Sequence, residues 1–210
     1  MRRRSSRRNV VGMARYRITT DTDKVFGVSM ATMKALVKRM GRDHERAGKL
    51  WATGWYEARI LAALTDEPAK VTRAQMNAWA KDFDNWAICD TCCFHLFDRT
   101  PLAWSAIERW AKSPHEFVKR AAFATAAGLA LHDKAAPDEL FMKVLPLIER
   151  AADDDRNFVK KGVSWALRGI GSRTAPLHAA AITLAKKLAA SKVPSTRWVG
   201  KDALRDLERP

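Results

Sequence analysis

No run of eighteen apolar residues occurs in the 210-residue chain, which excludes a helix that spans a bilayer. Cysteine is scarce. Cys89, Cys92 and Cys93 fall within five positions, too close together to staple a fold. Cys89 and Cys92 together with His95 suggest part of a zinc site. No second ligand cluster follows, however, and one short helical segment cannot surround a metal. The expectation is reduced, half-buried thiols on a helix and no metal. Period-2 alternation is also rare, with one weak strand candidate near 16–20. There is no glycine-rich phosphate loop, serine-centred elbow or paired-histidine motif, which argues against the common nucleotide- and metal-dependent enzymes. No cofactor is expected.

Acidic residues are the other shortage. Lys and Arg number 38 against 23 Asp and Glu, a net charge of +15 and a pI near 10.2. Such an excess favours a polyanionic partner, most often nucleic acid. The first 17 residues hold seven Arg and no acid, but the remainder is still +8. Residues 1–15 read as a basic, disordered arm, with Met13 an alternative start. Residues 16–210 read as one folded domain. The chain lacks the apolar run of a secretory signal and is expected in the cytoplasm, associated with the nucleoid.

What is present is helix. Met33, Leu36, Val37 and Met40 follow i, i+3, i+4, i+7 spacing, and Leu177, Ala181, Leu184 and Leu188 extend a similar stripe. Leu140, Val144, Leu145 and Ile148 do so with Pro146 as an expected kink. Pro101, Pro114, Pro137, Pro176 and Pro194 precede or open periodic segments, where proline is tolerated. Gly169 and Gly171 mark an expected helix stop.

These helices repeat. Phe117-Val118-Lys119-Arg120 recurs 41 residues later as Phe158-Val159-Lys160-Lys161, and again as Trp198-Val199-Gly200-Lys201. A period near 40 with two helices per unit predicts an all-α, HEAT-like solenoid of antiparallel helix pairs. Arg120, Lys161 and Lys201 would then form a basic row along a concave face, a cradle for a phosphate backbone. The alternative is that they are solvated helix edges.

The segment DNWAICD at 84–90 places Trp86 and Asp90 one helical turn apart on one face. An aromatic wall beside a carboxylate suits a site where positive charge develops. Taken alone, such a pair is more often a half-buried Trp beside an exposed acid. Trp51, Trp55, Trp79, Trp104 and Trp110 are expected to pack helices together.

The stretches FGVSMATMKALVK (26–38), LWATGWYEARILAAL (50–64), DNWAICD, EFVKRAAF, NFVKKGVSWALRGIG and TRWVGKDALRDL resemble the AlkD-like DNA alkylation repair proteins, in the same order over residues 16–208. The resemblance implies a HEAT-like repeat DNA glycosylase that excises cationic N3- or N7-alkylated purines from duplex DNA without flipping the base. It implies Trp86, Asp90 and Trp165 as catalytic residues and Arg120 as a DNA contact. Lys119, Lys160, Lys161, Arg168 and Lys201 are further expected backbone contacts. The expected partner is double-stranded DNA containing alkylated purines, with no membrane and a monomeric protein.

Where some active relatives carry an aromatic before the paired Trp and an acid after it, this chain has Asn85 and Ala87. Three functions from different classes follow: the glycosylase, a non-catalytic binder of damaged or branched DNA, and a protein-interaction scaffold. The intact Trp86, Asp90 and Trp165 favour the first over the second, and the basic charge disfavours the third.

Overall fold

The computed structural model describes residues 5–18 and 24–209, and among them only helices, turns and loops occur. The chain divides into two compact units, Met1–Thr100 and Pro101–Pro210. The strand candidate near 16–20 falls partly outside the described residues; Tyr16 and Arg17 form a turn.

The first unit holds α1 (Arg7–Arg15), α2 (Met30–Met40), α3 (His44–Ala52), α4 (Tyr56–Thr65), α5 (Arg73–Lys81) and α6 (Trp86–His95), with short 3₁₀ turns at Pro68–Lys70 and Phe97–Arg99. Side-chain oxygens of Ser29, Asp43, Thr72 and Asn85 cap α2, α3, α5 and α6, accepting from otherwise unpaired N–H groups of the first turn. The core is aromatic. The Trp51 and Trp79 rings stack 4.1 Å apart, and Phe83 and Phe97 close around them. Trp55 stacks on Phe26, again at 4.1 Å. Trp51 and Trp79 thus pack α3 against α5, as expected, whereas Trp55, at the N-cap of α4, packs on a loop residue.

α4 also carries an acid at the centre of this unit. Glu57 is fully buried, and its carboxylate accepts from the backbone N–H groups of Phe26 (3.1 and 3.0 Å), Gly27 (2.6 Å) and Val28 (3.1 Å). A buried carboxylate is costly unless donors replace its water. Here three consecutive amides do so, fixing the 26–28 segment against α4.

Residues 7–15, expected within a disordered arm, form α1. Composition registered the charge but not the local partners. Ser6 caps the helix, the Ser6 N–H donates to the Phe26 carbonyl at 2.8 Å, and the Asn9 amide donates to the Gly27 carbonyl at 2.8 Å. Gly27 has φ +72°, and a Cβ there would lie 2.3 Å from the Ser6 carbonyl oxygen, so only glycine permits this approach.

The second unit holds α7 (Ala103–Trp110), α8 (Glu116–His132), α9 (Asp138–Met142), α10 (Leu145–Ala151), α11 (Asn157–Gly171), α12 (Ala175–Ala189) and α13 (Pro194–Leu207). α7 packs on α8, α10 on α11 and α12 on α13, while α8, α11 and α13 stack in sequence. The 40-residue repeat is this stack: Phe117 of α8 and Phe158 of α11 meet with ring centroids 5.4 Å apart. Pro146 does not kink a continuous helix. It sits in the first turn of α10, where its missing N–H costs nothing, and the chain breaks between α9 and α10. Gly169 lies within α11 rather than past its end. Gly200 sets the closest approach, since a Cβ there would come within 2.2 Å of the Ala189 nitrogen and 2.6 Å of the Ala185 carbonyl oxygen.

Replacing Glu57 by Ala leaves the buried Gly27 and Val28 amides and the part-buried Phe26 amide without this acceptor, at about 1–3 kcal/mol for each buried one. Urea unfolding of Glu57→Ala is expected to show a loss of at least ~2 kcal/mol. A change within the ~0.5 kcal/mol of an ordinary surface substitution would contradict this role.

Candidate functional site

α6 begins at Trp86 because Asn85 stops the preceding chain and caps the helix. The Asn85 side-chain oxygen accepts from the N–H groups of Ala87 (3.0 Å) and Ile88 (3.1 Å), and the residue is 1% exposed. Asn85 is therefore committed to the helix end rather than to a solvent-facing surface. Trp86 and Asp90, both half-buried, line one cavity of about 1100 Å³ in the first unit. The Trp86 indole N–H donates to the Tyr16 carbonyl at 2.8 Å, tying α6 to the end of α1. Ala87, Thr91 and Tyr56 complete the α6 and α4 side of the cavity, and α1 forms the opposite rim. Burial, with the nearby Glu57 and Asp84 carboxylates, pushes the Tyr56 phenol up to about 12, so it stays a neutral donor at physiological pH.

The other face of α6 is closed. Cys89, Cys92 and Cys93 are fully buried rather than half-buried, because this helix face packs into the unit's core. Burial pushes the Cys92 thiol well up, which opposes the thiolate that nucleophilic or metal chemistry requires. Among the described residues no group of three His, Cys, Asp or Glu side chains is arranged to hold a metal.

In the second unit a groove of about 340 Å³ runs over α8, α11 and α13 and is lined by Arg120, Lys161, Trp165, Arg168, Trp198, Asp202 and Arg205. Four of the expected residues are thus brought together. Arg120 is the deepest: only 6% exposed, it donates to the Phe158 carbonyl at 2.7 Å, joining α8 to α11. Lys161 is exposed. Arg168 pairs with Asp206, and Arg205 with Asp202, which also accepts from the Ser164 hydroxyl at 2.6 Å.

Three expected backbone contacts lie outside this lining. Lys160 sits over the Trp198 ring, 5.4 Å from its centroid. Lys119 pairs with Asp154 at 2.9 Å, beside Arg156, and Lys201 is exposed on α13. The Arg156 and Lys119 cations hold the Asp154 carboxyl well below its ordinary range.

Trp198, Asp202 and Arg205 were missed as groove residues. Trp198 and Asp202 carry the same i, i+4 spacing as Trp86 and Asp90, and that repetition was the available signal. The cavity rim formed by α1 was also missed.

Stacked helix pairs of this kind have a counterpart among solved structures. One belongs to a new family of proteins related to the HEAT-like repeat DNA glycosylases, with affinity for branched DNA structures; it matches with a TM-score of 0.78 at 19% identity, covering 97% of this chain and 91% of that one. The fold is all-α and HEAT-like. The sequence matches the family of DNA alkylation repair enzymes over residues 1–207, and the chain belongs to that family. No curated protein matches it. No helix among the described residues is long and apolar enough to cross a membrane.

Arg120→Ala removes a charge-assisted bond from a buried position, at about 1.5–3 kcal/mol. A thermal or urea melt is expected to show that loss. Wild-type stability would mean that the Arg120–Phe158 bond does not hold α8 to α11.

Proposed function

We propose that this protein is a DNA-alkylpurine N-glycosylase acting on duplex DNA that carries N3- or N7-alkylated purines. The observation that carries the reading is the placement of Trp86 and Asp90, one turn apart on α6, on a single open cavity. Membership in the DNA alkylation repair family supports alkylated DNA as the substrate, and the resemblance to AlkD-like proteins supports N3- or N7-alkylated purines as the lesion.

Alkylation at N3 or N7 makes the purine cationic and already a good leaving group. The bond from C1′ to the base nitrogen breaks, its electron pair returns to the purine, and the base departs neutral. The deoxyribose is left with oxocarbenium character. Asp90 stabilises that charge and orients a water whose oxygen adds to C1′; the water's proton passes to Asp90 or to solvent. The products are the free alkylated base and an abasic site. Trp86 offers a half-buried ring as an apolar, cation-favouring wall beside the sugar. No proton donor to the base is required. In the second unit, Arg120, Lys161 and Arg168 form the phosphate-binding side of the groove, with Trp165 as its apolar wall, and Lys119, Lys160 and Lys201 add longer-range attraction.

A second reading, a non-catalytic binder of damaged or branched DNA, draws on one observation. Asn85 is buried as a helix cap and Ala87 brings no acid, so Asp90 is the one carboxylate that DNWAICD presents to the cavity. The branched-DNA affinity of the structurally similar protein is consistent with it.

Asp90→Asn keeps the shape and removes the charge. A carboxylate near phosphates repels in the ground state and helps only as the sugar turns cationic, so its effect belongs to the transition state. The variant is expected to bind duplex DNA at least as tightly as wild type while excising N7-methylguanine about 10²- to 10³-fold more slowly. A folded Asp90→Asn protein that excises at the wild-type rate would refute the assignment. Excision absent from the wild type would favour the non-catalytic reading.

A further inference from the structure

The cavity faced by Trp86 and Asp90 has a rim of opposite character. Arg7, Arg8 and Arg15 of α1 line it, together with Asn9, Met13 and Tyr16. The helix carries no acid. None of its residues is buried, and its three arginines are exposed. Among the described residues none forms an ion pair with Arg7, Arg8 or Arg15. α1 does not pay for its position by filling a core. It is held by polar contacts: Ser6 N–H to the Phe26 carbonyl, Asn9 to the Gly27 carbonyl, and the Trp86 indole to the Tyr16 carbonyl. The first two rest on the segment that Glu57 fixes. The third is made by a residue of the candidate site itself.

This arrangement puts exposed guanidinium groups around a floor that holds a carboxylate and an indole. A free anion has no use for that floor, since Asp90 would repel it. A simple cation has no use for that rim. A nucleotide within a strand satisfies both, because its phosphodiesters are anionic while its sugar becomes cationic during base loss. Arg8 and Arg15 are seven residues apart, two turns along one face and roughly 10 Å along the axis. Arginine side chains reach successive phosphates from such positions, and guanidinium matches phosphate in geometry as well as charge.

We infer that α1 is a DNA-gripping element of the first unit, whose Arg7, Arg8 and Arg15 bind the phosphodiesters flanking the nucleotide that meets Trp86 and Asp90. The inference rests on the duplex-DNA reading above and adds a binding site to it. The arginine-rich N-terminus is then part of the site, and the Trp86–Tyr16 hydrogen bond couples phosphate grip to the residue beside the sugar.

The test is the salt dependence of binding to a fluorescent duplex by the full chain. Each phosphate contact contributes about 0.9 to the slope of log K against log salt. The Arg8→Ala/Arg15→Ala double variant is expected to bind more weakly at physiological salt, with a slope smaller by about 1.8. Arg8→Lys/Arg15→Lys keeps both charges and is expected to restore most of the slope. Arg150→Ala/Lys186→Ala removes the same charge from α10 and α12, and is expected to lower the slope by less than half as much. Helical content, read by circular dichroism, reports whether α1 survives the substitutions.

An unchanged slope in the folded Arg8→Ala/Arg15→Ala protein overturns the inference while leaving the duplex-DNA reading intact. Tighter binding by that variant also overturns it, because α1 would then be a cover over the cavity. An equal loss in the α10/α12 control reduces the effect to net charge and overturns the specific contact. Wild type that binds no duplex overturns the underlying reading, and the inference with it.

Discussion

A buried carboxylate organises the first unit. Glu57 is fully buried, so its carboxylate is accommodated only while the amides of Phe26, Gly27 and Val28 converge on it. That requirement fixes an otherwise irregular segment. The same segment then offers the Phe26 and Gly27 carbonyls to Ser6 and Asn9, which positions α1. α1 forms one rim of the cavity and α6 presents Trp86 and Asp90 from the other side. An acid outside the candidate chemistry thereby decides the shape of the place where chemistry is proposed.

The second unit depends on a different constraint, the close stacking of α8, α11 and α13. Gly200 lets α13 approach the α12 backbone, and Arg120 bridges α8 to the start of α11 from a nearly buried position. The groove over these helices collects two Trp rings and four cationic side chains from three successive repeats. Asp202 and Asp206 neutralise part of that charge through Arg205 and Arg168. The groove is consequently an aromatic surface with graded positive charge. Such a surface suits a backbone polyanion better than a single small anion.

Much of this was legible in the sequence because it follows from periodicity. The spacing of Met33, Leu36, Val37 and Met40 placed α2, and the Phe-Val-Lys-Arg recurrence placed the successive α8, α11 and α13. Resemblance singled out Trp86, Asp90 and Trp165. Depth was not legible. The repeat brought Arg120 and Lys161 to the same face, yet Arg120 lies almost wholly buried and Lys161 lies in the open. Pro146 fits either a kink or a first turn, and only the break after α9 decides between them. α1 was read as an arm because its stretch of sequence is rich in Arg and free of acids. Its anchors are backbone carbonyls at Phe26 and Gly27, which no side-chain pattern reveals. Asn85 looked like a departure from an active motif, and its role as the cap of α6 emerged only from geometry.

The central claim is that the cavity on α6 serves base excision. It is tested most directly by incubating purified wild-type protein with a duplex containing N7-methylguanine and measuring free base by chromatography and mass spectrometry, against a protein-free control for spontaneous loss. The account predicts release well above the control, together with abasic sites in equal amount. Release no faster than the control, from folded protein that binds the duplex, would contradict it.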